Sequence, residues 1–299
     1  YSTSRNRFKS FHATYNLPFP SLDVSTLCLF ITYSRLVLKI RTSTIQSYLA
    51  GINFFCKLSA GVICPSISHC HVNTLIKGCK KQKPNGVIPR LPLTTDLLHK
   101  CISTLRSGYS SNFVDRTLES TFLLAFFGFL RCSEFAPTSS IHNPLIHPCL
   151  SDISILSHDT TIFTLRKSKT DQLAVSCPIY LFCLDSSHNP YEPIFNYVQS
   201  RFAANASPHD PLFISEPGKQ ASRFWFSCHF RQVLSLSGIS PDHYSAHSFR
   251  IGAASSASSQ GVPDHTIQIL GRWSSQAYHL HIRNNLKDLF QAHSLLSCI

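Results

Sequence analysis

The sequence contains no methionine among its 299 residues, not even at position 1, and only two tryptophans. Because a complete chain begins with methionine, we expect this one to be a translated fragment that lacks its true start. Long hydrophobic runs are missing too: the longest, over residues 122–130, is far shorter than the about 20 apolar residues that cross a bilayer. This excludes a membrane-spanning helix, and we expect no membrane partner.

Acidic residues are scarce as well. Asp and Glu number 15 against 27 Lys and Arg, which gives a formal net charge of +12 although only 14% of the residues are charged. An excess of cations in a chain with few charges indicates a polyanionic partner, and nucleic acid fits this pattern better than a membrane surface. Hydrophobic residues make up 43%, which is enough for a packed core and excludes wholesale disorder.

The twelve cysteines include no Cys-x-x-Cys pair, and nothing else in the sequence indicates a secreted disulfide framework. One cluster offers metal-ligand side chains, namely Cys64, His69, Cys70, His71 and Cys79. Its spacing matches no standard zinc module, so we expect ordinary loop and core residues, and neither a metal nor another cofactor. A zinc-dependent protein stays open as an alternative.

Hydrophobic periodicity predicts a mainly α fold with one small antiparallel β-sheet. Residues 84–92 contain three prolines and one glycine, so no helix crosses them, and we predict a basic Pro-rich linker there. This linker separates a helical domain over residues 1–83 from a larger α+β domain over residues 93–299.

The larger predicted domain changes character over residues 151–184. Segments 152–156 and 160–165 alternate apolar and polar positions and are rich in β-branched residues, which predicts strands, and 174–184 is a third strand or apolar segment. One helical pattern starts at Thr94. The other predicted helices cover 24–38, 45–55, 71–83, 117–131, 190–204, 222–237, 245–260, 263–270 and 274–292.

Four separate motifs carry residues suited to phosphate chemistry. In sequence order they are 128–134 (GFLRCSE), 165–171 (LRKSKTD), 246–250 (AHSFR) and 270–275 (LGRWSS), the last followed by Tyr278 and His281. Arginine keeps its charge, and its planar fork holds two phosphate oxygens. His247 and Arg250 lie three positions apart and therefore share one face of a helix. With Arg131, predicted at the end of an apolar helix, Arg250 could neutralise a phosphate whose charge spreads in a transition state.

In order and spacing these motifs resemble those of the tyrosine recombinase (phage integrase) family, within it most closely the recombinases of eukaryotic tyrosine-recombinase retrotransposons and related mobile elements. The resemblance covers essentially the whole chain. It implies an N-terminal SAM-like core-binding domain, a C-terminal catalytic domain of the DNA breaking-rejoining fold, and a nuclear location. The partners it implies are double-stranded DNA and further copies of the chain, as dimers or tetramers on DNA, with no small-molecule substrate.

The resemblance also implies a reaction. A tyrosine hydroxyl attacks the phosphodiester without metal or ATP, which gives a 3′-phosphotyrosyl intermediate and a free 5′-hydroxyl, and the reverse attack rejoins a strand. The implied roles are phosphate binding by Arg131 and Arg250, protonation of the leaving oxygen by Lys169, proton removal assisted by His247, hydrogen bonding to the phosphate by Trp273, and support of the site by Glu134.

The expected nucleophile is missing. Related sequences place a tyrosine eight or nine residues after the position of Trp273, just before Ile-Arg, and here His281 occupies that position. We therefore expect a copy that binds DNA but cleaves it poorly or not at all. Two alternatives stay open: Tyr278, almost one helical turn earlier, replaces the nucleophile, or His281 itself attacks the phosphate.

Cations next to the linker predict contacts with backbone phosphates, which carry affinity but no sequence information. The predicted DNA-binding residues are Lys77, Lys80, Lys81, Lys83 and Arg90, together with Lys167 beside the hairpin tip. One alternative belongs to another class of protein. Residues 253–270 also fit a non-catalytic helix-turn-helix DNA-binding protein, with Gly261 in the turn and Pro263 at the first position of the second helix.

Overall fold

The computed structural model describes residues 2–61, 63–82, 90–167, 176–186 and 188–282. Contacts between Cα atoms divide the chain into two compact units, Tyr1–Val87 and Ile88–Ile299, and the division falls within the segment 84–92. Lys83, Lys169 and everything beyond residue 282 lie outside the described residues. No described helix is long and apolar enough to cross a membrane.

The first unit is built from α-helices whose apolar stripes meet in one core. Its described helices are α1 (Ser2–Thr14), α2 (Val24–Leu36), α3 (Thr42–Ala60) and α4 (Cys70–Lys81). Phe11, Phe30 and Ile45 come from the first three helices and are all buried in this core. Burial of a side chain of this size stabilises the fold by about 1.5–3 kcal/mol. Asp23 caps α2, since its carboxylate accepts a 2.8 Å hydrogen bond from the backbone N–H of Thr26.

The second unit combines α-helices with a three-stranded antiparallel sheet, which confirms the predicted mainly α fold with a small antiparallel sheet. The strands are β1 (Ile153–Ser157), β2 (Thr160–Leu165) and β3 (Cys177–Phe182), with β2 in the middle. Phe163 of β2 pairs with Ile153 on one side and Ile179 on the other. The described helices are α5 (Thr95–Arg106), α6 (Asn112–Phe127), α7 (Cys132–Phe135), α8 (Tyr191–Ala203), α9 (Arg223–Leu236), α10 (His247–Ser259) and α11 (Asp264–Gly271).

Helix α6 is buried over most of its length in the core of the second unit, which explains its apolar sequence. The ring of Phe122 lies 5.4 Å from that of Phe230 on α9 and 5.1 Å from that of Phe249 on α10, both edge-to-face. Such aromatic pairs add about 0.5–1.5 kcal/mol beyond the area they bury. This packing holds α6 against α10, and both helices position residues of the site described below.

The apolar helix predicted over 117–131 ends early, at Phe127, so the prediction that Arg131 terminates it is wrong. Gly128 follows the helix, and Phe129 takes a left-handed φ of 48°, which reverses the chain. A Cβ on Gly128 would lie 2.6 Å from a backbone carbonyl oxygen of α6, so this turn requires glycine. Arg131 instead stands at the N-terminal cap of the short helix α7.

The helix predicted over 274–292 is wrong in its described part. Arg272 takes a left-handed φ of 55° and ends α11, and a single 3₁₀ turn over Gln276–Leu280 follows. The hydroxyl of Ser275 caps this turn by accepting a 3.4 Å hydrogen bond from the backbone N–H of Ala277. The spacing of apolar residues in so short a segment does not distinguish a 3₁₀ turn from an α-helix.

Candidate active site

Arg250 on α10 connects three parts of the site, and it is only 1% exposed. Its Nη1 donates to the carbonyl oxygen of Phe129 at 2.5 Å, and its Nη2 donates to that of Gly271 at 2.5 Å. These bonds join α10 to the turn after α6 and to the end of α11. Burial first, and then the charges of Arg131 and Arg272, lower the pKa of Arg250 to about 9, so it keeps its charge at neutral pH.

The indole of Trp273 covers the Arg250 guanidinium. The Cζ atom of Arg250 lies 4.2 Å from the ring centre, which is a close cation–π contact. This approach depends on Gly271, because a Cβ there would lie 1.6 Å from the indole ring. Phe129 packs edge-to-face on the same indole, with ring centres 6.3 Å apart.

Glu134 on α7 is the carboxylate of the site and is 5% exposed. Its Oε2 accepts a 2.8 Å hydrogen bond from the backbone N–H of Arg131, and its Oε1 accepts a 2.9 Å bond from Nη1 of the same residue. Nη2 of Arg272 lies 3.4 Å from Oε2 on the other side. A single carboxylate therefore holds two guanidinium groups in place.

Arg272 is a site residue that the sequence analysis missed. Its Nη1 donates to the carbonyl oxygen of Gly128 at 2.9 Å, and its Nη2 donates to that of Phe129 at 3.3 Å. The Arg272 side chain is only 13% exposed, and this burial lowers its pKa. The sequence offered one signal for Arg272: it is the only charged residue of the motif 270–275 and lies between Gly271 and Trp273.

Two imidazole rings lie next to each other, and one of them lies beside the indole. His247 is the first residue of α10 and is exposed. The ring of His281 lies 5.0 Å from that of His247, with an angle of 72° between their planes, and 5.2 Å from the indole of Trp273. The hydroxyl of Ser255 donates to the backbone carbonyl oxygen of His281 at 3.2 Å and anchors this segment to α10. The structure thus places His281 next to His247 and Trp273, two other predicted site residues.

Tyr278 is 5% exposed and lies against the same indole, with ring centres 6.3 Å apart. Its hydroxyl donates to Oδ2 of Asp264 at 3.3 Å. Burial and the Asp264 carboxylate both raise the pKa of Tyr278, which makes its hydroxyl a weaker nucleophile. Asp264 begins α11 and Gly271 ends it, so at a rise of about 1.5 Å per residue the two ends of this helix lie about 10 Å apart. The Tyr278 hydroxyl therefore binds at the N-terminal end of α11, whereas Arg250 binds the carbonyl oxygen of Gly271 at the C-terminal end.

The predicted DNA-binding cations have different surroundings. Lys77, Lys80 and Lys81 are exposed on α4 in the first unit. Arg90 belongs to the second unit, where its Nη1 donates to the carbonyl oxygen of Asp242 at 2.7 Å. Lys167 is exposed and follows Arg166, whose Nε donates to Oδ1 of Asp152 at 2.6 Å and anchors the end of β2. Lys83 and Lys169 lie outside the described residues, so the structure does not place them.

The cysteine and histidine cluster of the first unit does not form a metal site within the described part of the chain. In residues 2–61, 63–82, 90–167, 176–186 and 188–282, no three His, Cys, Asp or Glu side chains lie close enough to hold a metal ion. Cys79 is buried in the helical core, and the backbone N–H of Cys64 donates to Asn53 Oδ1 at 2.9 Å. Cys79 and the backbone of Cys64 thus take part in the packing of the first unit.

Comparisons with known proteins agree on one fold. Residues 154–282 match the model of the phage integrase family. No curated protein sequence matches the chain. Among solved structures, the XerH site-specific recombinase bound to palindromic difH substrate in a post-cleavage complex aligns with a TM-score of 0.64 and 12% identity, over 98% of this chain and 76% of that one.

Two further structures align over nearly the whole chain. The Tn1549 transposon integrase in complex with transposon right end DNA has a TM-score of 0.60 and 13% identity, over 99% of this chain and 93% of that one. The lambda integrase dimer bound to a COC′ core site has a TM-score of 0.56 and 16% identity, over 94% of this chain and 70% of that one. At these identities the alignments establish the shared fold.

Proposed function

We propose that this chain, whose residues 154–282 match the model of the phage integrase family, is a tyrosine recombinase: a DNA-binding recombinase of a mobile element with impaired strand cleavage. The observation that carries the proposal is a cluster of three guanidinium groups, from Arg131, Arg250 and Arg272, around the single carboxylate of Glu134. Such a cluster is suited to an anionic ligand that brings the missing negative charge.

The charges of the cluster favour a phosphate in particular. Three guanidinium groups and one carboxylate leave an excess of two positive charges. Burial lowers the pKa of Arg250 most, and repulsion from Arg131 and Arg272 lowers it further. A phosphodiester carries one negative charge, and its oxygens gain charge as a nucleophile attacks, so these cations stabilise the transition state more than the ground state. The side chain of Arg131 is 18% exposed, so a phosphate reaches it directly, whereas Arg250 at 1% exposure acts chiefly through its charge.

The impairment follows from the groups beside the phosphate site. In family members the tyrosine oxygen bonds to phosphorus while the bond from phosphorus to the 5′-oxygen breaks. Here His281 lies beside Trp273, whose indole covers Arg250, and the Tyr278 hydroxyl is bound to Asp264. We therefore favour a copy that binds DNA without forming the tyrosyl adduct over one in which Tyr278 replaces the nucleophile.

The remaining parts of the proposal extend the family resemblance. Two of the similar structures are a transposon integrase in complex with transposon end DNA and an integrase dimer bound to a core site. On that basis we propose duplex DNA as the partner and self-association on DNA. The resemblance to recombinases of eukaryotic elements leads us to propose a nuclear location. The motif at 270–275 with the following Ile282-Arg283 supports an origin in a eukaryotic retrotransposon or related element.

A plain helix-turn-helix protein explains the observations less well. Helix α11 would be its recognition helix, but it contains no Lys or Arg and presents Asp264, Ile269 and Leu270 to solvent. Pro263 precedes this helix instead of beginning it. A helix with this exposed face lacks the cations that contact DNA phosphates. This alternative also leaves the buried arginine cluster without a role.

The proposal is tested in two steps with purified protein. Duplexes that bind are first selected from a random pool, and nicked suicide duplexes are then made from the selected sequence, with the nick moved position by position. We expect retardation of the intact duplex and no detergent-resistant covalent complex. A covalent complex that Tyr278→Phe abolishes would contradict the impairment, and absence of any selected duplex would contradict DNA binding.

A further inference from the structure

We infer that the second unit binds a purine nucleoside monophosphate in a pocket beside the first turns of α6, separate from the arginine cluster. The pocket has a volume of about 530 Å³ and lies between α6, the end of α8 and the loop that follows α8. Pockets of about 300–1,000 Å³ are typical of small-molecule sites. Arg116 lines the pocket and precedes Phe127 by eleven positions, so it lies about 17 Å along α6 from the end that leads to Arg131.

Arg201 on α8 supplies a buried positive charge at this pocket and is 7% exposed. Its Nη1 donates to the Tyr197 hydroxyl at 3.2 Å and to the carbonyl oxygens of Pro211 at 3.1 Å and Leu212 at 3.3 Å. Within the described residues Arg201 forms no ion pair, and Nη1 makes all the hydrogen bonds of its side chain, so Nε and Nη2 keep donors for a ligand. A buried guanidinium without a carboxylate partner is suited to an anion, and its fork matches phosphate oxygens.

The phenol beside Arg201 does not offset this charge. Burial raises the pKa of Tyr197, so its hydroxyl stays protonated and neutral at neutral pH. An anionic ligand therefore meets the full charge of the guanidinium.

Arg116 is the second cation of the pocket and is exposed on α6. Its side chain forms no hydrogen bond or ion pair with any residue that the structure describes. Two carboxylates near it in the sequence are already bound: Glu119 pairs with Arg106 at 2.7 Å, and Asp115 accepts a 3.0 Å hydrogen bond from the backbone N–H of Ser110. Two guanidinium groups thus line one pocket, which favours a phosphate over a neutral group.

The other groups of the pocket favour a nucleoside attached to that phosphate. The ring of Phe113 is 38% exposed and lines the pocket, so a base can stack on it. Among the described residues, Asp210 is the only acidic residue that lines the pocket. Its Oδ2 accepts a 2.8 Å hydrogen bond from the backbone N–H of Ser207, and its Oδ1 is left for the N–H donors of a purine such as guanine. Two guanidinium groups and one carboxylate leave one positive charge for the phosphate.

The experiment is calorimetric titration of the purified full chain with guanosine 5′-monophosphate. We expect one nucleotide per chain with a dissociation constant below about 1 mM, and binding at least about 10-fold weaker for guanosine and for inorganic phosphate. Arg116→Gln should weaken nucleotide binding by about 10- to 150-fold, because a charge-assisted hydrogen bond is lost. Phe113→Ala should weaken it by about 5-fold or more through loss of stacking.

Arg231→Gln is the matched control, because Arg231 is an exposed arginine of the same unit that does not line this pocket. It should bind the nucleotide like the unaltered protein, and urea denaturation checks that each variant is folded. Absence of saturable binding, or equal affinity of Arg116→Gln and the unaltered protein, would overturn the inference. Equal weakening by Arg116→Gln and Arg231→Gln would overturn it too, since it would show attraction to the overall charge alone.

The inference and the proposed function fail separately. A protein that retards the selected duplex but binds no nucleotide would overturn this inference and leave the proposed function intact. A protein that binds the nucleotide as described but retards no duplex would contradict the proposed function and support the pocket.

Discussion

A 2.9 Å hydrogen bond joins Nη1 of Arg272 to the carbonyl oxygen of Gly128, although the two residues are 144 positions apart in the sequence. Arg250 donates to the neighbouring carbonyl oxygen of Phe129, so two guanidinium groups hold one turn. That turn leads directly to Arg131, the most accessible arginine of the cluster. The position of Arg131 therefore depends on side chains from α10 and from the end of α11.

Arg272→Gln should destabilise the protein strongly. The substitution removes a buried charge that satisfies backbone carbonyls and pairs with Glu134, and the loss of one partner from a buried pair costs about 3–5 kcal/mol. Urea denaturation measures the change in the free energy of unfolding. Arg231→Gln is the control, since Arg231 and Asp242 form an exposed pair whose loss should cost less than about 1 kcal/mol. If the two substitutions changed the free energy of unfolding equally, the Arg272 contacts would contribute no more to stability than an exposed ion pair.

Arg131→Gln should weaken binding of the selected duplex without unfolding the protein. A charge-assisted hydrogen bond contributes about 1.5–3 kcal/mol, which corresponds to a loss of affinity of about 10- to 150-fold. Arg131→Lys keeps the positive charge but loses the planar guanidinium that binds two oxygens. Its affinity for the duplex should therefore lie between those of the unaltered protein and Arg131→Gln. Equilibrium titration at one fixed salt concentration gives the three values. If Arg131→Gln bound the duplex as tightly as the unaltered protein, Arg131 would not contact a DNA phosphate.

The exposed lysines of α4 should control the salt dependence of DNA binding. Each phosphate contact contributes about 0.9 to the slope of log affinity against log salt concentration. Replacement of Lys77, Lys80 and Lys81 by glutamine should therefore reduce the slope by up to about 2.7. Lys219→Gln is the control, since Lys219 is an exposed lysine outside the predicted DNA-binding set. A triple variant with the original slope would mean that α4 does not contact the backbone.

Acid should destabilise the protein through His229. Its ring nitrogens lie 2.8 Å from the Tyr109 hydroxyl and 3.3 Å from Oε1 of Glu216, and burial lowers its pKa despite the carboxylate. Because the folded-state pKa lies below the unfolded value of about 6.5, the unfolded chain binds the proton more readily. This contribution to stability is complete above about pH 6.5 and is lost as the pH falls below it.

Urea denaturation at about pH 7.5 and about pH 5 measures this effect. The unaltered protein should lose stability on acidification, and His229→Gln should lose less. Burial also lowers the pKa of His147 and His188, so the His229→Gln protein should still lose some stability on acidification. An equal loss of stability in His229→Gln and in the unaltered protein would contradict the lowered pKa of His229.

Much of the second unit could be predicted because its elements have clear periodicity. The alternation over 160–165 marked β2, and the spacing of His247 and Arg250 placed both on the first turn of α10. Three of the four motifs converge, since Arg131, Arg250 and Trp273 meet at one place. Lys169 of the remaining motif lies outside the described residues. Helical and strand spacing are local properties, so the sequence reports them directly.

What could not be predicted depends on contacts between distant residues. The left-handed Phe129 that ends α6 has no local signal beyond Gly128, because its conformation is held by the two guanidinium groups that bind this turn. The sequence alone does not distinguish Arg272 from an ordinary surface cation. Its role depends on the carbonyl oxygens of residues 128 and 129, which only the fold brings beside it. The 3₁₀ turn over Gln276–Leu280 likewise follows from the burial of Tyr278 and its bond to Asp264.

The substitution His281→Tyr tests most directly whether the phosphate site is intact and only the nucleophile is missing. The His281→Tyr and unaltered proteins are each mixed with the nicked suicide duplexes, and the detergent-resistant covalent complex is quantified. We expect a 3′-phosphotyrosyl adduct with His281→Tyr that persists in the double variant with Tyr278→Phe, and none with the unaltered protein. An adduct with the unaltered protein, or none with a His281→Tyr protein that still binds the duplex, would contradict this.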